Sequence, residues 1–300
     1  MKRLGIYGNS KNINELSNII KQQEDFEFSG FYKKINGFEK QNANLNTDKR
    51  NLEFYEFLNS IDAVCFLDYD KNEIFDDVVT ALKNSKHILL WDDSSFSAGQ
   101  IFEFVKLSRE AGVVFQLGNS LNYHPVFQKL KLITGKPLYV EINHGCENSA
   151  SLKKIFKNDL ITALSLVDNN VKRTSARGLN LFSVQQDFIT VQLEFDNGSI
   201  AHLKSHVFSS QPIHEISVFE KGRIITADFI LNTINISKQK PDKTRESETM
   251  DVDHSHDLQK LVESFSFCIH KKRDPVLDIE KMYVIKYLEK QLQDKIKMNF

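Results

Sequence analysis

Between residues 3 and 117 the apolar residues of this chain keep changing period. Runs with strand character at 3–7, 26–32, 63–67, 87–91 and 113–117 are separated by stretches with helical spacing. The stretch 12–23 places Ile13, Leu16, Ile19 and Ile20 on one face, and 54–60, 74–84 and 97–111 also read as helices. Strands that alternate with helices predict a parallel sheet covered on both faces. Ligands of such sheets bind outside the carboxyl ends of the strands.

The pattern changes near residue 120. A strand at 137–144 and a helix at 154–167 lead into a meander with strands at 171–178, 187–195, 199–207, 215–220, 223–228 and 233–237. Asp196-Asn197-Gly198 and Lys221-Gly222 supply hairpin turns, with Gly where a positive φ is needed. The expected product is a large, open, mostly antiparallel sheet whose apolar face needs a cover, a frequent oligomer interface. The polar stretch 239–256 is expected to be a mobile loop. Helices at 257–270 and 278–296, with Pro275 in the turn between them, close the chain. The fold class is therefore α/β, with a Rossmann-like dinucleotide-binding domain at 1–120. A second α/β domain follows at 121–300, its closing helices, 257–298, packing back.

Composition removes some functions. A formal net charge of −1 over 300 residues offers no bulk attraction to nucleic acid or to a membrane surface. Cys65, Cys146 and Cys268 are far apart, show no metal-ligand spacing and read as structural thiols, so no metal is expected. No apolar run is long enough to cross a bilayer, and the chain enters its first strand without a signal-peptide core, which gives a cytoplasmic expectation.

The order and spacing of several segments carry a resemblance. They are Ile61-Asp62-Ala63-Val64-Cys65-Phe66-Leu67, the strand ending at Leu90 before Trp91-Asp92-Asp93, and Gly118-Asn119 to Tyr123-His124-Pro125. Phe156-Lys157-Asn158-Asp159-Leu160-Ile161, Ser175-Ala176-Arg177-Gly178, Glu194-Phe195-Asp196-Asn197-Gly198 and Ala227-Asp228-Phe229 add to it. Together they resemble the Gfo/Idh/MocA family of NAD(P)-dependent sugar oxidoreductases, and within it the branch acting on nucleotide-linked N-acetylamino sugars. The resemblance implies a Rossmann domain followed by an open-sheet domain used for dimerisation.

It also shows which residues have changed. The phosphate loop offers Gly8, but Ser10 and Ile13 stand where small residues belong, beside Lys11. The second strand runs into Lys33-Lys34, where NAD would find a ribose-binding carboxylate. Asp68 and Asp70 follow the third strand and would repel phosphates. The family's catalytic lysine corresponds to Asp92, followed by Asp93, and its helix histidine to Asn158, followed by Asp159. Asparagine cannot take a proton. The family's usual His and Arg near the domain junction appear as Asn119 and Asn122. A substitute constellation of Asp92, Asp93, Ser94, His124, His144 and Asp159 is conceivable near the crevice. His202, Lys204 and His206 share one strand face, a possible meeting place for an acidic ligand, and His254 and His256 flank Ser255 in the polar stretch.

These changes predict a protein that has lost dehydrogenase activity and serves as a ligand-binding or partner subunit, pairing through its sheet with itself or with an active paralogue. No cofactor is expected, or NADP or NAD if any. The alternative is a divergent NADP-dependent oxidoreductase acting on a sugar or nucleotide sugar.

Overall fold

A computed structural model describes residues 1–8, 13–32, 47–67, 74–91, 96–118, 120–147, 149–181, 186–207, 211–240, 242, 244–253, 257–275 and 277–298. In chain order the first elements are β1 (Lys2–Tyr7), α1 (Ile13–Lys21), β2 (Phe26–Tyr32), α2 (Thr47–Ser60), β3 (Ala63–Phe66), α3 (Ile74–Lys83), β4 (His87–Leu90), α4 (Ala98–Ala111) and β5 (Phe115–Leu117). Then come α5 (Ser120–Tyr123), α6 (Pro125–Ile133), β6 (Tyr139–Gly145), α7 (Ser149–Val167), β7 (Val171–Leu179), β8 (Phe188–Phe195), β9 (Ile200–His206), β10 (Ile213–Glu220), β11 (Arg223–Asp228), β12 (Thr233–Gln239) and β13 (Arg245–Asp251). The chain closes with α8 (Asp257–Lys271) and α9 (Ile279–Met298). Two compact units result: Met1–Ser120 with His256–Val284, and Leu121–Ser255 with Ile285–Phe300.

The first unit holds a five-stranded sheet in the order β2-β1-β3-β4-β5, every neighbouring pair parallel. The apolar runs explain it: β3 and β4 are buried nearly throughout, as a strand covered on both faces must be. α1 contributes Leu16, Ile19 and Ile20 to the core, α3 Ile74, Val78 and Leu82, and α4 Ile101 and Phe104. Each such side chain contributes roughly 1.5–3 kcal/mol on full burial. α4 begins at Ser97, whose hydroxyl accepts from the Gln100 amide while the Gln100 side chain accepts from the Ser97 amide. It ends at Gly112, in the left-handed conformation (φ 63°). α8 belongs to this unit, with Phe265 against Phe26 (ring centroids 6.0 Å apart) and Ser266 Oγ donating to Asp25 at 3.1 Å. The strand order reverses between β1 and β3, so the crevice of this sheet lies beyond Tyr7 and Phe66.

The second unit holds an eight-stranded sheet in the order β13-β12-β11-β10-β6-β9-β8-β7, antiparallel except where β6 lies parallel to β9. Alternation puts Val140, Ile142, Ile189, Val191, Leu193, Ala201 and Leu203 on one buried face. That apolar face is covered by the chain itself: α7 packs on β6 and β9, and α6 on β11 and β12. The expectation of an apolar face awaiting a partner is therefore corrected. The opposite face carries Glu141, Asn143, Gln192, Glu194, His202, Lys204 and His206, all half-buried. Gly198 and Gly222 hold the two hairpin turns at φ 84° and 81°.

Several segments differ from expectation: α2 starts at Thr47 rather than at residue 54, and α5 was not anticipated. The stretch 239–256 is not simply a loop: β13 pairs with β12 from Thr233–Asp251 to Gln239–Arg245. Its side chains are almost all exposed, so no apolar alternation marks it. Backbone ladder bonds and pairs such as Asn235 Nδ2 donating to Thr249 Oγ1 at 2.8 Å hold it in place. α6, not anticipated, starts with Pro125 in its first turn, where a missing N–H costs nothing. No described helix is long and apolar enough to cross a membrane.

Candidate functional site

At the carboxyl end of β1, Gly8 adopts φ 149°, which only glycine takes up readily, and its amide donates to the Tyr32 carbonyl at 3.1 Å. Tyr7, just before it, is 2% exposed, donates its hydroxyl to Asp77 and packs against Tyr32 and Phe66. At the end of β4, Trp91 is half-buried and lies over the end of β5: a Cβ on Gly118 would come within 3.1 Å of Trp91 Cα and of its indole Cε3. The indole thus fills space at the carboxyl ends of the last two strands. Ser10, Lys11, Lys33, Lys34, Asp68, Asp70, Asp92, Asp93, Ser94, Asn119, His254 and His256 lie outside the described residues.

The second unit contains a more developed constellation. Strand register sets His214 of β10 opposite His144 of β6, and His144 beside Ser205 of β9, in one row across three strands. α7 crosses that row and brings down Asp159, which is wholly buried. One carboxylate oxygen lies 2.8 Å from His144 Nδ1, and the other accepts from Ser205 Oγ at 2.8 Å. The His144 side chain is 16% exposed. The His214 ring stacks on His144, with centroids 3.9 Å apart and planes 4° apart, and is backed on its other side by Phe229 at 4.3 Å and 18°. His214 Nε2 is buried without a hydrogen-bond partner among the described residues.

The electrostatics follow from burial. Removal from water raises the Asp159 pKa above the ordinary carboxylate value, and the bonds from His144 and Ser205 pull the other way. Burial, then the neighbouring His144 and His124, push His214 down to about 2, so it stays neutral at any working pH. With Nδ1–H donating to Asp159, His144 presents Nε2 as its basic nitrogen. A carboxylate that selects the tautomer of a histidine is the usual way to prepare an acid/base.

His144, Asp159 and His214 also offer three donor atoms within 4.8 Å of one another. A two-histidine, one-carboxylate set is chemically suited to zinc or another divalent transition metal. The ring geometry suits it less well. Parallel imidazoles send their in-plane lone pairs side by side, so both reach one ion about 2 Å away only if a ring turns. His144 Nδ1 is moreover already engaged with Asp159.

Of the candidates read from the sequence, the structure thus joins His144 with Asp159. Asn158 is half-buried one residue before Asp159, and His124 heads α6 with its ring 5.2 Å from Phe229. Asn122 is 1% exposed, and neither side-chain amide atom has a partner among the described residues. The row His202, Lys204 and His206 does share a face, but each is paired within the sheet, with Thr190, Glu141 and Asn143. Ser205 and His214 were missed. Their signal was a polar residue at a core position of an alternating strand, as in Ala201-Leu203-Ser205 and His214-Ile216-Val218.

No family model matches the chain. A UDP-N-acetylglucosamine 3-dehydrogenase from Acidithiobacillus ferrooxidans is 22% identical over 167 residues, 52% of this chain and 52% of that protein, so the aligned stretch spans about half of the relative. The solved structure of UDP-N-acetylglucosamine 3-dehydrogenase from the same organism superposes with TM-score 0.80 at 18% identity, covering 99% of this chain and 98% of its own. A dehydrogenase from Clostridium difficile gives 0.77 at 14%, covering 98% and 99%. An oxidoreductase from Pseudomonas syringae gives 0.77 at 10%, covering 99% and 97%. The chain has the Gfo/Idh/MocA fold. By the Gfo/Idh/MocA resemblance, Asp92 stands where the lysine belongs and Asn158 where the helix histidine belongs. The first lies outside the described residues, and the second adjoins the buried carboxylate.

Proposed function

We propose that the chain is a nicotinamide-dependent oxidoreductase acting on a hydroxyl of a sugar or nucleotide sugar. The observation that carries this reading is the agreement of two comparisons. Sequence and whole-chain superposition both lead to a UDP-N-acetylglucosamine 3-dehydrogenase. Gly8, at the end of β1 with φ 149°, supports this reading: it is a residue without a Cβ at the turn where such a sheet would bring a pyrophosphate. Gly8, Ser10 and Lys11 would hold the phosphates, and Lys33 with Lys34 would favour NADP over NAD. Bound there, a nicotinamide supplies hydride acceptance. The protein's own residues orient the sugar and take its hydroxyl proton.

A second reading has its own support. Asn158 cannot titrate, and the Trp91 indole occupies the strand ends. On this reading the chain binds a sugar or nucleotide sugar without transferring hydride and works as a subunit paired with itself or an active paralogue. Calorimetric titration with NADP and NAD, followed by a nucleotide-sugar screen read at nicotinamide absorbance, separates the two. Turnover supports the oxidoreductase. Sugar-nucleotide binding with neither cofactor affinity nor turnover supports the binding subunit.

A further inference from the structure

We infer that the β7 margin of the large sheet's open face carries a binding site for a phosphate-bearing small molecule, built around Arg177 and Lys295. The site lies wholly within the second unit and does not depend on the oxidoreductase reading. β7 is an edge strand, and its pairing with β8 sets Ser175 opposite Gln192 and Arg177 opposite Thr190, while Gln192 in turn lies opposite His202 of β9. Residues directly opposite in a ladder share a face, so these hydrogen-bonding side chains stand together. α9 supplies one more group. A Cβ on Gly178 would come within 2.8 Å of Ile296 Cγ2, so the missing side chain lets the helix lie close along β7. Lys295, the residue before Ile296, thereby reaches Thr174, and its ammonium donates to the Thr174 carbonyl and hydroxyl, each at 2.6 Å. Together these residues line an open depression of about 560 Å³, within the range of roughly 300–1,000 Å³ of small-molecule sites.

The charge of the lining is one-sided. Arg177 and Lys295 bring two cations, and no carboxylate lines the depression among the described residues, although the whole chain has 39 basic and 40 acidic residues. Glu141 and Glu194, on the same face, are engaged elsewhere: the first pairs with Lys204, and the second accepts from Gln192 Nε2 at 3.4 Å. Arg3, Arg109 and Arg223 each pair with a carboxylate. Arg177 is exposed and has no hydrogen bond or ion pair among the described residues, so its fork of donors is open to a ligand. A planar guanidinium fork matches two oxygens of a phosphate, whereas an ammonium acts as a point charge beside it. The Ser175 hydroxyl and the Thr190–His202 pair, 2.8 Å apart, add neutral hydrogen-bonding groups. Burial, then Lys204, holds His202 below the ordinary imidazole pKa, so it offers a hydrogen bond rather than a charge. The space beyond one phosphate group takes the organic part of an ester.

Calorimetric titration of the full chain with inorganic phosphate and with glycerol 1-phosphate, at constant ionic strength, tests the site, and amide NMR shifts locate it. Both probes are expected to bind, the ester more tightly, and to shift amides of β7 and β8. Arg177→Gln, at an exposed side chain whose removal opens no buried space, is expected to weaken both about tenfold or more, and Lys295→Met likewise. Lys221→Gln, which removes the same charge from the turn between β10 and β11, is expected to bind as the unmodified protein does. No binding of either probe, or unchanged affinity in Arg177→Gln, would overturn the inference. Acetate binding as tightly as phosphate would show an unselective cationic surface and overturn it too. So would loss of affinity in Lys11→Gln with Arg177→Gln unaffected, or shifts confined to the surroundings of Gly8, since either places the anion at the turn after β1.

Discussion

Asp159 and His214 are buried groups whose charged forms the fold disfavours, and both make predictions about stability. Burial raises the Asp159 pKa above 3.8, so its neutral form is favoured by folding. That contribution is complete below the unfolded value and is lost as pH rises through the folded one. In this setting the charged form of the carboxylate is a cost, which its two bonds offset. Asp159→Asn, which keeps the shape and bonds both neighbours once one of them turns to accept from the amide, is therefore expected to melt at or above the wild-type temperature at pH 7. Asp159→Ala, which strands His144 and Ser205, melts lower. For the histidines the sign is opposite. Burial lowers His214 to about 2 and His87 to about 4, whereas the unfolded chain takes up protons near 6.5. Their stability contribution is full above pH 6.5 and is lost as pH falls toward 4 and below, by up to about 1.4 kcal/mol per pH unit for each histidine. Melting temperature is thus expected to drop between pH 6.5 and 4, and His214→Phe to flatten that slope. An unchanged slope in this variant would show that His214 is accessible to protons.

At the scale of elements, local signals were readable where a residue type does one job. Ser97, three residues ahead of Gln100, marked the start of α4, and Gly112 its end. Ser97→Ala is expected to cost about 1 kcal/mol in denaturant titration. Close packing between elements was not readable. A Cβ on Gly5 of β1 would come within 2.6 Å of the Phe57 ring and 2.9 Å of the Ile61 side chain. Gly5→Ala is therefore expected to destabilise by roughly 1–3 kcal/mol, the range for overpacking. A loss below about 0.5 kcal/mol would mean that α2 yields freely. β13 escaped reading because a strand exposed along nearly its whole length has no apolar period, and it is held by backbone ladder bonds, short polar side chains and the Lys240–Glu246 ion pair.

For the whole molecule, association is proposed through the open face of the large sheet. That face is polar, with Lys204 paired to Glu141 and an open depression of about 560 Å³ lined by Arg177, Thr190, His202 and Lys295 among others. Light scattering at tens of micromolar is expected to report a dimer or tetramer; monomer alone would count against it. Because the face is held by charged and hydrogen-bonding groups, its association should weaken with salt, unlike that of an apolar interface.

Hydrophobic period by itself pointed to the α/β class, to a parallel first sheet and to most of the meander after it, whereas the strand order β2-β1-β3-β4-β5 came from the tertiary structure. Each strand and helix must bury a stripe of its own, and that demand is written locally. The candidate acid/base was only half legible. His144 and Asp159 stood out as polar residues in apolar surroundings, but nothing local joins positions 144, 159, 205 and 214. Strand register placed His214 and Ser205 on either side of His144, and α7 packing lowered Asp159 onto that row. A shift of one residue in any of these strands would send its side chain to the opposite face. Register is a property of the assembled sheet, set jointly by turns, ladder bonds and buried area, and so only the tertiary structure decided which imidazole meets the carboxylate.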